Sequence, residues 1–340
     1  MTVSRDIDLN QLLADTEAEI LGVVRDRDAS TVGVYEMIRY HLGLDGSEGP
    51  RGKRMRPLLG LLAYQSITGE HERALPGAAA VELGHNFSLV HDDIEDGDVE
   101  RRHRPTLWSI HGVPQAINTG DLIFSLSRIA LHRLTDLGFS DTRVLRLMRL
   151  YDETCVLLCE GQYIDIATST QGQPMNVALY FDMIGRKTAA LISASIEAGA
   201  LLATDDEAVI AGYRAFGWSL GLAFQLNDDL LGIWGVEAKT GKVPMDIARH
   251  KQTLPILYAL EHAAPADLAR LRELKAVDEP SAEEIAETVA ILERAGADTF
   301  TRTEAHRHRD AAIAAINSLT VVDEASREKL VAIMHAVISA

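Results

Sequence analysis

Two clusters of aspartate stand far apart in the chain, each inside a helical pattern. The first reads His-Asp-Asp-Ile-Glu-Asp and supplies Asp92, Asp93 and Asp96; the second reads Gln-Leu-Asn-Asp-Asp and supplies Asp228 and Asp229. Asp92 and Asp96 are four residues apart, so a helix puts both on one face. Carboxylates on one face repel unless something positive sits there. Mg2+ meets that need, because it takes oxygen ligands and borrows the rest of its shell from water and substrate phosphates. Basic residues lie between and around the clusters: Lys53, Arg56, Arg101, Arg102, Lys187, Lys242 and Lys251. Arginine grips phosphate oxygens with two parallel donors, and lysine acts as a point charge. Carboxylates that hold hard cations, rimmed by Lys and Arg, describe a site for a diphosphate.

Each piece alone has a plainer reading: an acidic helix end, a double aspartate at a turn, a basic surface patch. Phe87, Leu89 and Val90 before the first cluster, and Phe224 and Leu226 before the second, favour half-buried helices instead. The run Gly52 to Pro57 opens a helix with Lys53, Arg54 and Arg56. That is the wrong sign for the positive end of a helix dipole, and an anion held there would offset it.

The elements that carry these residues are helical. Apolar residues recur at three and four through Leu12 to Val24, Leu58 to Ile67, Leu83 to Ile94, Ile117 to Leu131, Val144 to Ile166, Leu179 to Leu202 and Val209 to Leu231. The pattern continues through Ile256 to Leu260, Ile285 to Leu292, Ala311 to Leu319 and Leu330 to Ile338. Alternating strand runs are absent. Polar breaks fall at Gly43 to Gly52, Gly138 to Asp141, Thr168 to Pro174 and Gly235 to Lys251. No proline-rich linker or composition shift marks a second domain. The expected fold is all-α: a single domain over residues 1–340, a bundle of roughly ten or more helices around a central cavity, with sites built from inward-facing side chains.

A net charge of −17 argues against nonspecific nucleic-acid binding and against an anionic membrane surface. The N-terminus has early acidic residues and no apolar signal core, and no stretch of about 18 uncharged apolar residues appears. A cytoplasmic protein without membrane insertion is expected. Cys155 and Cys159, four apart on one helical face, read as reduced core residues; a metal site needs more ligands than these two.

Taken in order, the motifs resemble those of the trans-isoprenyl diphosphate synthases, the polyprenyl synthetase family. They are His85, Asp92-Asp93-x-x-Asp96, Arg101-Arg102 with Pro105-Thr106, Gly120-Asp121, Glu160-Gly161-Gln162 with Asp165, Lys187-Thr188, Phe224-Gln225-x-x-Asp228-Asp229, and Gly241-Lys242 with Asp246 and Lys251. They span Gly52 to Pro255. The resemblance implies head-to-tail prenyl transfer by a homodimer. An allylic diphosphate (dimethylallyl, geranyl or farnesyl) ionises, isopentenyl diphosphate attacks the carbocation, and the departing diphosphate takes the proton. Asp92, Asp96 and Asp228 would hold Mg2+. Arg101, Lys187, Lys242 and Lys251 would neutralise the leaving group. Lys53, Arg56, His85 and Arg102 would bind isopentenyl diphosphate. Thr188 and Gln225 would offer oxygen dipoles to the cation.

The chain departs from the family pattern at three places. Gly232 stands where the second cluster usually has a third acid, His250 replaces the glycine before Lys251, and Pro50-Arg51 precedes Gly52-Lys53. In the family, bulky residues four and five positions before the first aspartate limit product length; here these are Ser88 and Phe87. Helical geometry sets Ser88 roughly 40° and Phe87 roughly 140° round from Asp92. The small residue beneath the metal site and the aromatic to one side imply geranylgeranyl diphosphate (C20), then C15, then C25 or longer. Two other readings fit less well. A class I terpene cyclase would need a Ser or Thr and a Glu spaced from Asp228 or Asn227, where the chain has Gly232 and Val236, or Leu231 and Gly235. It would also have no use for Lys53, Arg56 and His85. A noncatalytic partner subunit would typically lose one aspartate cluster, and both are kept.

Overall fold

The computed structural model describes residues 8–47, 51–171, 173–235 and 245–338. The helices are α1 (Leu9–Val23), α2 (Val32–Leu42), α3 (Met55–Thr68), α4 (Leu75–Glu95), α5 (Leu107–His111), α6 (Val113–Asp136), α7 (Asp141–Ser169) and α8 (Val177–Ile184). A π-helical turn (Gly185–Ala189) leads into α9 (Ala190–Ala203), and α10 (Glu207–Trp234) follows. Then come α11 (Met245–Ala248), α12 (Leu254–His262), α13 (Pro265–Leu274), α14 (Ala282–Arg294), α15 (Ala297–Asn317) and α16 (Glu324–Ile338). The expected all-α class is what the structure has.

Local chemistry sets many helix ends. Asp8 caps α1 by accepting from Asn10 N at 2.9 Å. Gly43, at φ 68°, ends α2 in the left-handed conformation that glycine tolerates best. Ser281 and Glu284 form a reciprocal capping box on α14.

The chain packs as two compact units, one of residues 1–155, 194–214 and 319–330, the other of residues 156–193, 215–318 and 331–340. In the first unit α4 packs against α1, α3 and α6. Its residues Pro76 to Gly84 are buried without a break, so this half of the helix is covered on every side, as a core helix is, with Glu82 its one charged residue. Two charged groups sit in that core. Arg54 is 2% exposed and Glu82 is 2% exposed, and Arg54 Nη1 donates to Glu82 Oε1 at 2.8 Å. Arg54 also donates to the Leu42 carbonyl and caps α3 from the left-handed region, at φ 47°. The second unit has one apolar cluster around Ile233, Ile256, Leu271 and Ile291, and another around Tyr180, Leu222, Leu226 and Leu254.

The structure departs from the apolar periodicity in four places. Helices α2, α5, α11 and α13 lie outside the periodic runs, and α11 falls within the polar break expected from Gly235 to Lys251. Helix α15 starts well before Ala311, because its first half is mostly polar and only Ala297, Thr301 and Ala305 are buried, at helical spacing. The run Leu179 to Leu202 is interrupted by the π-turn. Finally, Glu100–Arg101 and Arg104–Pro105 form a two-stranded antiparallel hairpin. Its turn residues Arg102 and His103 both have positive φ, 53° and 59°, a type of turn that Asn-Gly signals and Arg-His does not. Cys155 is buried and Cys159 exposed, so only one of the pair is a core residue; neither is in a disulfide.

Glu82→Ala should destabilise the protein by about 3 kcal/mol in a urea titration, because it removes the buried partner of the Arg54 guanidinium and leaves it only the Glu17 carboxylate at 3.5 Å. A loss under about 1 kcal/mol would mean that Arg54 does not depend on this carboxylate.

Candidate active site

The first unit gathers Lys53, Arg56, His85, Phe87, Ser88, Asp92, Asp96, Arg101 and Arg102. Helix α4 carries His85 through the aspartates, α3 carries Arg56, and the hairpin carries the arginine pair. Asp92 is half-buried and Asp96 exposed at the C-terminal end of α4, where Asp96 N donates to the Asp92 carbonyl at 2.8 Å. Asp93 points the other way. It is 2% exposed and accepts from Arg101 Nε at 2.6 Å, which ties the hairpin to α4. Burial pushes the Asp93 carboxyl up, and Arg101 opposes this. The motif order implies an Arg101 that faces substrate and gives Asp93 no partner. In the structure the pair is a brace, and the i, i+1 spacing of Asp92 and Asp93 is the signal that the two side chains diverge.

Positive charge is concentrated beside it. Arg56 Nη1 lies 3.0 Å from His85 Nε2, an approach that suits a neutral imidazole accepting from the guanidinium. Burial, then Arg56, Arg102 and Arg101, hold His85 well below the ordinary histidine range. Burial, then Arg102, Arg101 and Arg54, push His41 down to about 3. Burial and Arg102 lower Arg56 to about 10. The Arg102 guanidinium rests against Gly52, where a Cβ would come within 2.8 Å of Nη1. This close approach accounts for a glycine before Lys53, which is exposed. Arg56 Nε is buried and meets no acceptor among the described residues. Glu82 is the buried carboxylate that acts on both Arg56 and Arg102, and it is already bound to Arg54.

Phe87 is buried and meets Phe124 edge-on, with ring centroids 5.0 Å apart; Phe124 stacks on Tyr151 at 6.2 Å. Ser88 is half-buried and donates to the His85 carbonyl at 2.9 Å. Phe124 and Tyr151 form the next aromatic layer, and nothing in the sequence sets them apart from other core aromatics.

The second unit gathers Lys187, Thr188, Gln225, Asp228 and Lys251; Lys242 lies outside the described residues. Lys187 and Thr188 sit in the π-turn, a geometry often found at functional sites. Helix α7 comes so close here that a Cβ on Gly161 would lie 2.6 Å from Lys187 N. Lys187 Nζ is 2.5 Å from Asp165 Oδ2. Thr188 Oγ1 donates to Gln225 Oε1 at 3.0 Å, and Gln225 Nε2 donates to Asp229 Oδ1 at 3.1 Å. Asp229 also accepts from the Tyr180 hydroxyl at 2.5 Å and from Leu254 N at 2.9 Å. Burial raises its carboxyl to about 7 against these hydrogen bonds. Like Asp93, Asp229 is an internal anchor. Asp228 is exposed on α10; partial desolvation raises its pKa, with Lys251 opposing and Asp246 adding to the shift. Lys251 Nζ lies 3.2 Å from Asp246 Oδ1, and its N donates to the Asp246 carbonyl at 2.9 Å. His250 takes up φ 54°, the conformation a glycine would hold more easily, and its Nε2 meets the Asp278 carbonyl at 3.1 Å.

Among the described residues no three His, Cys, Asp or Glu side chains gather as a metal centre. Asp92 and Asp96, one turn apart on α4, offer a pair of carboxylate donors. Such a pair suits a hard divalent cation whose shell is completed by water and phosphate oxygens.

Comparison with known proteins agrees with the motifs. The family model described as Polyprenyl synthetase matches residues 37–292. A geranylgeranyl diphosphate synthase of Mycobacterium tuberculosis is 40% identical over 289 residues, covering 82% of this chain and 80% of that protein. A (2E,6E)-farnesyl diphosphate synthase of Mycobacterium bovis is 38% identical over 307 residues, covering 86% and 82%. The crystal structure of a polyprenyl synthetase from Streptomyces coelicolor superposes with a TM-score of 0.87 at 34% identity, covering 97% of this chain and 98% of that one. An all-α fold with paired aspartates and a basic cluster, together with these relatives, defines a prenyltransferase of the isoprenyl diphosphate synthase class. The chain belongs to the polyprenyl synthetase family.

The depressed histidines give a pH dependence. His41 is neutral in the fold and takes a proton on unfolding below its ordinary value of 6.5, so its stabilising share is present above that pH and is lost as pH falls toward about 3. His85 acts in the same direction. Unfolding free energy should fall by about 1.4 kcal/mol per pH unit for each such histidine between about pH 6 and 5. His41→Gln should make that slope shallower; an unchanged slope would place the acid sensitivity elsewhere.

Proposed function

We propose that this protein condenses isopentenyl diphosphate head-to-tail with dimethylallyl, geranyl or farnesyl diphosphate. Geranylgeranyl diphosphate would be the main product, with farnesyl diphosphate next and C25 or longer chains after it. The observation that carries the reading is the excess of positive charge around neutral His85. Arg54 and Arg101 crowd Arg102, Arg102 crowds Arg56, and the buried Glu82 carboxylate that acts on both Arg56 and Arg102 is bound to Arg54. A multiply charged anion relieves that imbalance, and isopentenyl diphosphate brings one. Lys53, exposed beside Gly52, adds a point charge at the rim.

Asp92, Asp96 and Asp228 are the proposed Mg2+ ligands. Mg2+, when bound, supplies Lewis-acid neutralisation of the allylic diphosphate as it departs. Lys187, Lys251 and Lys242 add positive charge toward the same leaving group, and Asp165 holds the Lys187 ammonium in position. Thr188 and Gln225 form a hydrogen-bonded pair anchored on Asp229, so their oxygens can face a carbocation without rotating away. Phe87 is the proposed stop for the growing chain, held edge-on by Phe124. A single domain, a homodimer and a cytoplasmic location are part of this reading. No helix among the described residues is long and apolar enough to cross a membrane.

The test is product analysis with Mg2+, labelled isopentenyl diphosphate and each allylic primer in turn. Linear prenyl diphosphates are expected, mainly C20. Hydrocarbon from the allylic substrate alone would favour a cyclase, and no turnover with any primer would favour a partner subunit. Asp92→Asn should lower kcat by about 100-fold or more. Arg56→Ala should raise KM for isopentenyl diphosphate about tenfold or more, as loss of a charge-assisted hydrogen bond implies, and leave KM for the primer unchanged. Phe87→Ala should lengthen the product; an unchanged spectrum would reject its role as the stop.

A further inference from the structure

The hairpin that carries Arg101 and Arg102 turns on two consecutive left-handed residues, Arg102 at φ 53° and His103 at φ 59°. Side chains other than glycine strain such a turn, so contacts outside it must hold it. Arg101 and Arg104 stand directly opposite each other across the two strands, a register in which like charges repel. Each is met by a carboxylate from a different segment. Asp93 on α4 takes Arg101, and Asp45, in the loop after α2, accepts from Arg104 Nη2 at 2.7 Å. The Arg104 guanidinium also lies over the Tyr40 ring, 3.9 Å from its centroid, and the Tyr40 hydroxyl donates to the Pro105 carbonyl at 2.9 Å. Asp45 is itself fixed, because its other oxygen accepts from Ser47 Oγ at 2.7 Å. Ion pairs at a protein surface contribute little by themselves. Here the Arg104 and Asp45 side chains are only 19% and 23% exposed, and the ring and the backbone hydrogen bond act on the same two residues that follow the strained turn.

We propose that Tyr40, Asp45 and Arg104 are positioning residues: they clamp the returning strand of the hairpin and so hold the Arg102 guanidinium in place against Gly52 for isopentenyl diphosphate. The proposal rests on the isopentenyl diphosphate reading of Arg102. None of the three has to touch the substrate. Tyr40 and Asp45 act through Arg104 and Pro105, and these act through the turn. The C-terminal end of α2 thereby takes part in substrate binding.

The test is calorimetric titration of the purified protein with isopentenyl diphosphate alone, with Tm followed in parallel. Asp45→Asn separates a clamp from a simple charge, because the two give opposite signs. Removing a negative charge near a site for a multiply charged anion should tighten binding if only the field matters. Loss of the clamp should weaken binding about tenfold, since a displaced group forfeits its contact. Tyr40→Leu leaves every charge in place and should weaken binding to a similar degree. In an Arg102→Ala background, Asp45→Asn should add no further loss, as expected of residues that act through one another. Parental or tighter binding in Asp45→Asn or Tyr40→Leu, whatever the Tm, would overturn the proposal. So would an undiminished effect of Asp45→Asn in the Arg102→Ala background. If the unmodified protein does not bind isopentenyl diphosphate, or Arg102→Ala binds it as the parent does, the functional reading of this site fails; a weakened Arg102→Ala with an indifferent Asp45→Asn removes this proposal alone.

Discussion

Charge taken out of water has to be neutralised or hydrogen-bonded, and much of the site architecture follows from how this chain meets that condition. The Arg54–Glu82 pair shows it most simply. Both groups are 2% exposed, and the pair joins the start of α3 to the middle of α4. Replacing both by apolar residues could give an equally stable core, so the pair is not evidence of stability by itself. What it does is seat Arg56 and His85 next to each other while using up the nearest carboxylate. Arg56 and Arg102 both feel the Glu82 carboxylate as well, although Arg54 holds it.

The same condition divides the labour inside each aspartate cluster. Asp93 turns inward to Arg101, and Asp229 turns inward to Tyr180, Gln225 and Leu254 N. Their neighbours Asp92 and Asp228 remain more accessible. A pair of adjacent aspartates on a helix cannot share one face, so one residue of each pair is placed to anchor and the other is left more accessible. The anchors fix the segments that carry the chemistry: the hairpin with Arg101 and Arg102 in one unit, and the Thr188–Gln225 pair in the other.

Backbone irregularity collects where these segments are. Arg54, Arg102, His103 and His250 all adopt left-handed conformations that cost a non-glycine residue about 1 kcal/mol or more. The π-turn at Lys187 belongs to the same pattern. Arg54, Lys187 and His250 are each held by a hydrogen bond or ion pair to another segment. These irregularities aim charged side chains that a regular helix would have directed elsewhere.

The helical class, most helix positions and the chemical character of the site were legible in the chain, because apolar spacing at three and four and the types of the charged residues are local properties. Helices α2, α5, α11 and α13 and the front half of α15 were not, since short or mostly polar helices are stabilised by what they pack on. The hairpin was not legible either, because an Arg-His turn has no turn signature. Sequence could name Asp93 and Asp229 but could not say that they face inward, as their partners lie on other segments. It could count an acid as missing at Gly232. Only the tertiary structure brought Asp246, 14 residues further along, into that space, because side-chain proximity across a loop depends on how the chain returns and not on residue spacing.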